Sequence, residues 1–378
     1  MAAYQIIALF VAGGLTLVGA GLLAQTVASR RDRRRFPAPG TLIDVGGHCL
    51  HLHVAGSPSA APTVVLEAGM ASMSANWAWV RDDLARDGRV VTYDRAGLGW
   101  SEAGTGRVDA ATSAADLHAL LGAAGLGPPY VVAGHSYGGL VVRMFTDRYP
   151  DEVAGLVLVD ASHPDQWVSI PASRGGRTVA AANHLMALLA RVGLLRLTRA
   201  ERSFITGLPT LEHAQMRAHL ARPQAWTAGA DGLLAWHRHT RAQVNAARDL
   251  RDLPLIVLSV TEQDRYAEQL TRLQARLATL STNSRHVTVA GATHYTLVSQ
   301  RMHAAVVSDA IRAVSEAAQS GGRNRKLAAS HEAPPVNNGG PRRPLRAGRP
   351  PCSEGWLTKG PPVRAFAHCQ LCGPCVAE

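Results

Sequence analysis

Ser136 stands in Gly134-His135-Ser136-Tyr137-Gly138, directly after the apolar run Tyr130-Val131-Val132-Ala133 and before an apolar helical stretch. A glycine-x-serine-x-glycine segment at a strand-to-helix junction forms a turn too tight for side chains at its two glycines. Such a turn lifts the serine hydroxyl above the sheet and sets it at a helix N-terminus, where partial positive charge favours a developing anion. A hydroxyl is nearly inert at neutral pH without a base. His294, in Gly291-Ala292-Thr293-His294, follows the last expected strand and precedes the last expected helix, which places it at the same sheet edge as Ser136.

Three carboxylates could orient that imidazole and stabilise its charged form. Asp264 follows the strand Leu253–Val260 and is the first choice; Asp160, closing the strand after the Ser136 helix, is the alternative, and Glu262 is a third. All lie between Ser136 and His294, in the chain order serine, acid, histidine. A tetrahedral intermediate also needs donors. The amide of Tyr137 supplies one, and Met70, in the loop Ala68-Gly69-Met70-Ala71, is placed to supply the second. The chemistry expected is acyl transfer to water through an acyl-enzyme, on a small-molecule ester-like substrate and with no cofactor.

Positioning these groups calls for strands that alternate with helices. Apolar, β-branched runs predict strands at 41–45, 48–54, 63–68, 89–93, 129–133, 155–160, 253–260 and 286–290. Helical patterns at 76–86, 110–124, 139–149, 267–280 and 296–318 alternate with them. The fold class is α/β: a mostly parallel twisted sheet with helices on both faces. The first two strands, joined through Gly46-Gly47, read as an antiparallel edge hairpin. Between Asp160 and Leu253 only helical patterns occur, as at 178–197 and 211–249, too long a gap for a loop. Residues 164–250 therefore read as a helical cap inserted between two parts of one core, 36–163 and 251–320. Leu185, Met186, Leu188, Leu189, Leu194 and Leu195 of that cap are candidates to line an apolar pocket or to pack on the core.

The order of elements from about 41 to 318, with Gly134-His135-Ser136-Tyr137-Gly138, resembles the capped branch of the α/β-hydrolase superfamily. Tyr93-Asp94-Arg95-Ala96-Gly97-Leu98-Gly99-Trp100-Ser101 is similar to the family segment after the fourth strand. The branch holds esterases, prolyl iminopeptidases, C–C bond hydrolases, epoxide hydrolases and haloalkane dehalogenases. The resemblance implies a serine hydrolase of the esterase or prolyl iminopeptidase kind, with Ser136 and His294 in a triad whose acid is Asp264 or, as the alternative, Asp160. Epoxide hydrolases and haloalkane dehalogenases use an aspartate nucleophile, against which Ser136 speaks. Where most members have His-Gly before the oxyanion residue, this chain has Ala68-Gly69 preceded by Glu67. An acyltransferase, an amide or C–C bond hydrolase, and a non-catalytic interaction protein share the same residues or fold.

The net charge of +11 resides at the two ends: residues 1–35 carry +4, residues 321–378 carry +6, and the 285 between them only +1. A nucleic-acid enzyme would carry its basic patch on the folded domain, so no nucleic-acid partner is expected. Ile6–Ala24 is 19 residues without a charge, followed by Arg30, Arg31, Arg33, Arg34 and Arg35. Residues 1–35 thus read as a single-pass membrane anchor with a basic flank, a signal cleaved after Thr26-Val27-Ala28 being the rival. The positive-inside rule keeps that flank and the catalytic domain cytoplasmic. The segment 321–378, rich in Pro, Gly and Arg, reads as a disordered tail. Its Cys369, Cys372 and Cys375 with His368 lie too close together for a closed tetrahedral site, so no metal is expected.

Overall fold

Each apolar strand of the sequence splits its residues between two cores, and this alternation builds the molecule. In a computed structural model, residues 2–104, 106–169, 175–198, 205–261 and 266–320 are described. They belong to one unit, Met1–Ala328; a second, Ala329–Glu378, lies outside the described residues. The strands are β1 (Thr41–Asp44), β2 (Cys49–Ala55), β3 (Thr63–Glu67), β4 (Val90–Tyr93), β5 (Tyr130–His135), β6 (Val153–Val159), β7 (Leu255–Val260) and β8 (Ser284–Val289). They form one sheet in the order β1-β2-β4-β3-β5-β6-β7-β8. The β1–β2 and β2–β4 pairs are antiparallel and all others parallel, so the edge hairpin and the parallel body agree with the sequence pattern.

Successive side chains of a strand point to opposite faces. Leu156 and Leu158 of β6 join one buried cluster with Leu117, Leu120, Val141 and Phe145, whereas Val157 and Val159 join the other with Val80, Leu84, Val307 and Ile311. The first cluster is covered by α3 (Ala110–Ala123) and α4 (Gly138–Arg148), the second by α2 (Ala78–Leu84) and α13 (Arg301–Gln319). Helices on both faces follow directly from strands that are apolar on both faces.

Among the described residues between β6 and β7 no strand occurs, and the helices are α5 (Gln166–Ser169), α6 (Gly175–Arg191), α7 (Leu194–Thr198), α8 (Thr210–Leu220), α9 (Pro223–Ala235) and α10 (Arg241–Asn245), with a π-helical turn at Trp236–Thr240 joining the last two. The long helical patterns of the sequence are broken where chemistry demands it. Gly193, at φ +76°, turns α6 into α7, and Pro223 opens α9 at its first position. The expected helix 296–318 is likewise two, α12 (Thr296–Ser299) and α13, parted by extended Gln300. Helix α11 (Ala267–Ala278) links β7 to β8. The N-terminal helix α1 (Ala2–Arg35) holds a stretch long and apolar enough to cross a membrane, with none of that window buried.

Candidate active site

The loops after β3, β5, β6 and β8 open at one edge of the sheet, the carboxyl ends of its parallel strands, where open α/β sheets place their ligand crevices. Ser136 follows β5 with φ +55°, a left-handed conformation that a residue with a side chain rarely adopts. The flanking glycines make it possible. A Cβ on Gly134 would lie 2.6 Å from the carbonyl of Gly138, and one on Gly138 would lie 2.6 Å from the Glu67 carbonyl oxygen. The Ser136 amide donates to the Val159 carbonyl, and its carbonyl accepts from Gly139 and Ser162, so backbone on three sides fixes the turn.

Asp160 leaves β6 at φ +41°, another such residue at this edge, as is Ala71 at +53°. Its Oδ2 is 2.5 Å from His294 Nδ1, and its side chain is 4% exposed against 36% for the histidine. Burial pushes the Asp160 carboxyl up, but the hydrogen bond and charge of His294 pull it net below the usual carboxylate range. Among the described residues, Asp160, the alternative acid of the sequence pattern, is the carboxylate on the imidazole. Asp264, Glu262 and the cluster His368, Cys369, Cys372 and Cys375 lie outside the described residues. Among the described residues no three His, Cys, Asp or Glu are grouped to hold a metal ion.

The loop after β3 is gripped from two sides. A Cβ on Gly69 would fall 3.3 Å from Ser136 Cβ, so the backbone runs close past the serine. Neither the Met70 nor the Tyr137 amide has a backbone acceptor among the described residues, which leaves both donors available at this edge. Below the loop, Arg95 donates to the carbonyls of Ala68 and Gly69 and to the buried Glu67 carboxylate, which also accepts from Tyr93. Above it, α9 brings Gly232 against the Met70 sulfur and Gly229 against Ala71, where Cβ atoms would be 2.6 Å and 3.1 Å away. His219 Nε2 lies 3.2 Å from the Ala71 carbonyl oxygen.

Residues 62–186 match the model of the alpha/beta hydrolase fold family. Over 73% of this chain and 98% of its own, a thermophilic esterase of Thermogutta terrifontis superposes with a TM-score of 0.54 at 21% identity. The chain has the α/β-hydrolase fold. The epoxide hydrolase CorEH is similar over 72% of this chain and 96% of its own, with a TM-score of 0.56 and 20% identity. YqjL of Bacillus subtilis, an uncharacterised protein, is 33% identical over 107 residues, 28% of this chain and 42% of that one. The matches span less than half the length of each curated relative.

In this hydrolase fold a cavity of about 540 Å³ holds Ser136, His294, Asp160, Gly69, Met70 and Tyr137 in its wall. The helical insert closes it with Trp167, Val179, Asn183, Trp226, Leu233 and Trp236. Of the two uses open to Leu185, Met186, Leu188, Leu189, Leu194 and Leu195, lining a pocket or packing, the first is not taken: none of the six is in the wall. Leu185, Leu188 and Leu194 are exposed, and the other three pack in or against the insert's own core. A larger cleft, about 760 Å³, lies at the opposite strand ends around Pro62, Pro129 and Arg248 and holds none of the candidate residues.

Two groups escaped the sequence pattern. His135, between Gly134 and Ser136, lies 2.9 Å through Nε2 from the His294 carbonyl oxygen and stacks tilted on the His294 ring at 4.7 Å. A carbonyl only accepts, so Nε2 carries the proton. Burial, then the neighbouring His294 charge, push its pKa down to about 3, and it stays neutral. It ties the loop of His294 to the strand that leads into Ser136. The Glu67–Arg95 pair was the other. Its signal is a carboxylate ending the apolar run Thr63-Val64-Val65-Leu66, a place that demands a buried partner.

Proposed function

We propose that this chain is a serine hydrolase that cleaves an ester-like bond, with Ser136 as nucleophile, His294 as general base and Asp160 as the acid that orients it. The observation that carries the reading is the strained Ser136 turn in one cavity wall with an imidazole held by a buried carboxylate. His294 takes the Ser136 proton as the hydroxyl oxygen attacks the acyl carbon. The amides of Met70 and Tyr137 hold the oxyanion. His294 then gives the proton to the leaving alcohol, and a water repeats the steps on the acyl-enzyme, releasing the acid and restoring Ser136. An aspartate nucleophile would suit an epoxide, and the serine favours an acyl substrate. The wall is rich in tryptophan and aliphatic side chains, which fits an apolar acyl or alcohol group. We take α1 as a membrane anchor with the catalytic domain on the cytoplasmic side, supported by its unburied apolar window and the arginines after it.

A fluorophosphonate probe and a series of p-nitrophenyl esters test the chemistry. The wild-type chain is expected to label and turn over, and Ser136→Ala to do neither while keeping its melting temperature. Undiminished turnover in the Ala variant would remove Ser136 from the site.

A further inference from the structure

Residues 3–20 of α1 are exposed throughout, and contact with the rest of the molecule begins at Gly21. A Cβ there would lie 2.6 Å from the Val192 carbonyl oxygen, so glycine lets α1 press against the α6–α7 turn. One turn further, the buried Gln25 donates to the Ala221 carbonyl, and its Oε1 accepts from Arg196 Nε at 2.7 Å. Arg196 also pairs with Asp32 at 2.7 Å. The helix is therefore fastened to the insert from residue 21 onward. The part N-terminal to Gly21, beginning at Ala2, is about 28 Å long at 1.5 Å per residue. That equals the hydrocarbon core of a bilayer, about 30 Å. If this part crosses the membrane, the bilayer surface must fall at the level of Gly21 and Val192.

On either side of Val192 in sequence, α6 and α7 present bare apolar side chains. Leu185 and Leu188 of α6 are each 56% exposed, and Leu194 and Leu197 of α7 are 42% and 78% exposed. Charged side chains frame them as at a headgroup layer: Arg191 closes α6, and Arg30 to Arg35 continue α1 away from the apolar stretch, all exposed but Asp32. The same helix α6 reaches the cavity through Val179 and Asn183.

We propose that the α6–α7 face of the insert rests in the surface of the bilayer crossed by α1, so that an apolar substrate enters the cavity from the membrane phase. This rests on the anchor reading of α1, and its substrate arm on the hydrolase reading. The test uses the full chain in phosphatidylcholine–phosphatidylglycerol vesicles with an aryl azide that partitions among the acyl chains, adducts being mapped by mass spectrometry. Adducts are expected on α1 and on 185–197, and not on α11. Gly21→Leu, which drives a side chain into the Val192 carbonyl, should cut the 185–197 adducts several-fold and leave those on α1.

Adducts confined to α1 overturn the proposal, as do chain-to-chain crosslinks at 185–197 without adducts, which would give the face to a second copy. The double variant Leu188→Gln/Leu197→Gln should lower turnover of a long-chain ester embedded in the vesicles about fivefold or more, since interfacial binding follows buried apolar area. On a soluble short-chain ester it should stay within about twofold, as expected of surface changes. Equal losses on both esters overturn the substrate route. Absence of turnover on either ester, with no probe labelling, would instead sink the hydrolase reading and leave the adduct map standing.

Discussion

Asp160 adopts a left-handed backbone conformation directly after β6 and is almost wholly buried, and both features aim its carboxylate at His294. Sequence spacing alone could not rank it over Asp264. Both follow a strand and precede His294, and Asp160 reaches the imidazole from a left-handed backbone angle that spacing does not reveal. Ser136 and His294 were legible because their neighbours are dictated: glycines that no side chain can replace, and a loop between the last strand and the last helix. Asp160→Asn is expected to lower kcat on a p-nitrophenyl ester by about 10³- to 10⁴-fold, because the amide stabilises neither the tautomer nor the charged imidazole. Asp264→Asn is expected to leave kcat close to wild type. The reverse ranking would transfer the acid role to Asp264.

At the scale of elements, the loop after β3 explains why a charged pair lies inside an apolar sheet. Arg95 is 7% exposed and Glu67 1%, and Arg95, held by Glu67, donates to the carbonyls of Ala68 and Gly69, the residues that lead into Met70. Burial raises the Glu67 carboxyl, while Arg95 and Tyr93 oppose the rise. Burial alone would lower the Arg95 guanidinium, but the Glu67 charge keeps it firmly protonated. The strands and most helices were visible in the sequence because periods of two and 3.6 are written in single residues. The clamp was not, because it joins Glu67 to Arg95 across two strands. Arg95→Met should destabilise the protein by about 3–5 kcal/mol by leaving a buried carboxylate unpaired. Adding Glu67→Gln should recover most of that stability. It should not recover kcat, which is expected to stay about 10²-fold low because the loop carbonyls have lost their donor. Thermal melts and kcat on the same samples separate the two effects. If kcat returns together with the stability, the clamp does not position the loop.

Over the whole molecule, net charge is concentrated at the termini while the folded region is nearly neutral, and its response to acid is set by what it buries. Of the described histidines, three are pushed furthest toward the neutral form. His135 is pushed down to about 3 and His219 to about 3, each by burial first and then by a neighbouring charge, His294 and Arg222 respectively. Burial and the charge of Arg276 push His163 down to about 4. Unfolded, each would titrate near 6.5. Between about pH 6.5 and 4 the unfolded chain therefore binds protons that the folded chain refuses, and each proton lowers stability by about 1.4 kcal/mol per pH unit. Stability is expected to be level above pH 7 and to fall as the pH drops through that window. Asp160 and Asp94 add their losses only lower, since both are held below the usual carboxylate range. Melts of the detergent-solubilised full chain from pH 8 to pH 4 should show this decline. His219→Gln should make it shallower, because an amide can serve the Ala71 carbonyl and the Gly99 amide, the partners of His219, without taking up a proton. A melting temperature that holds steady down to pH 5 in the wild type, or a variant with the same slope, would show that these histidines are protonated in the folded protein.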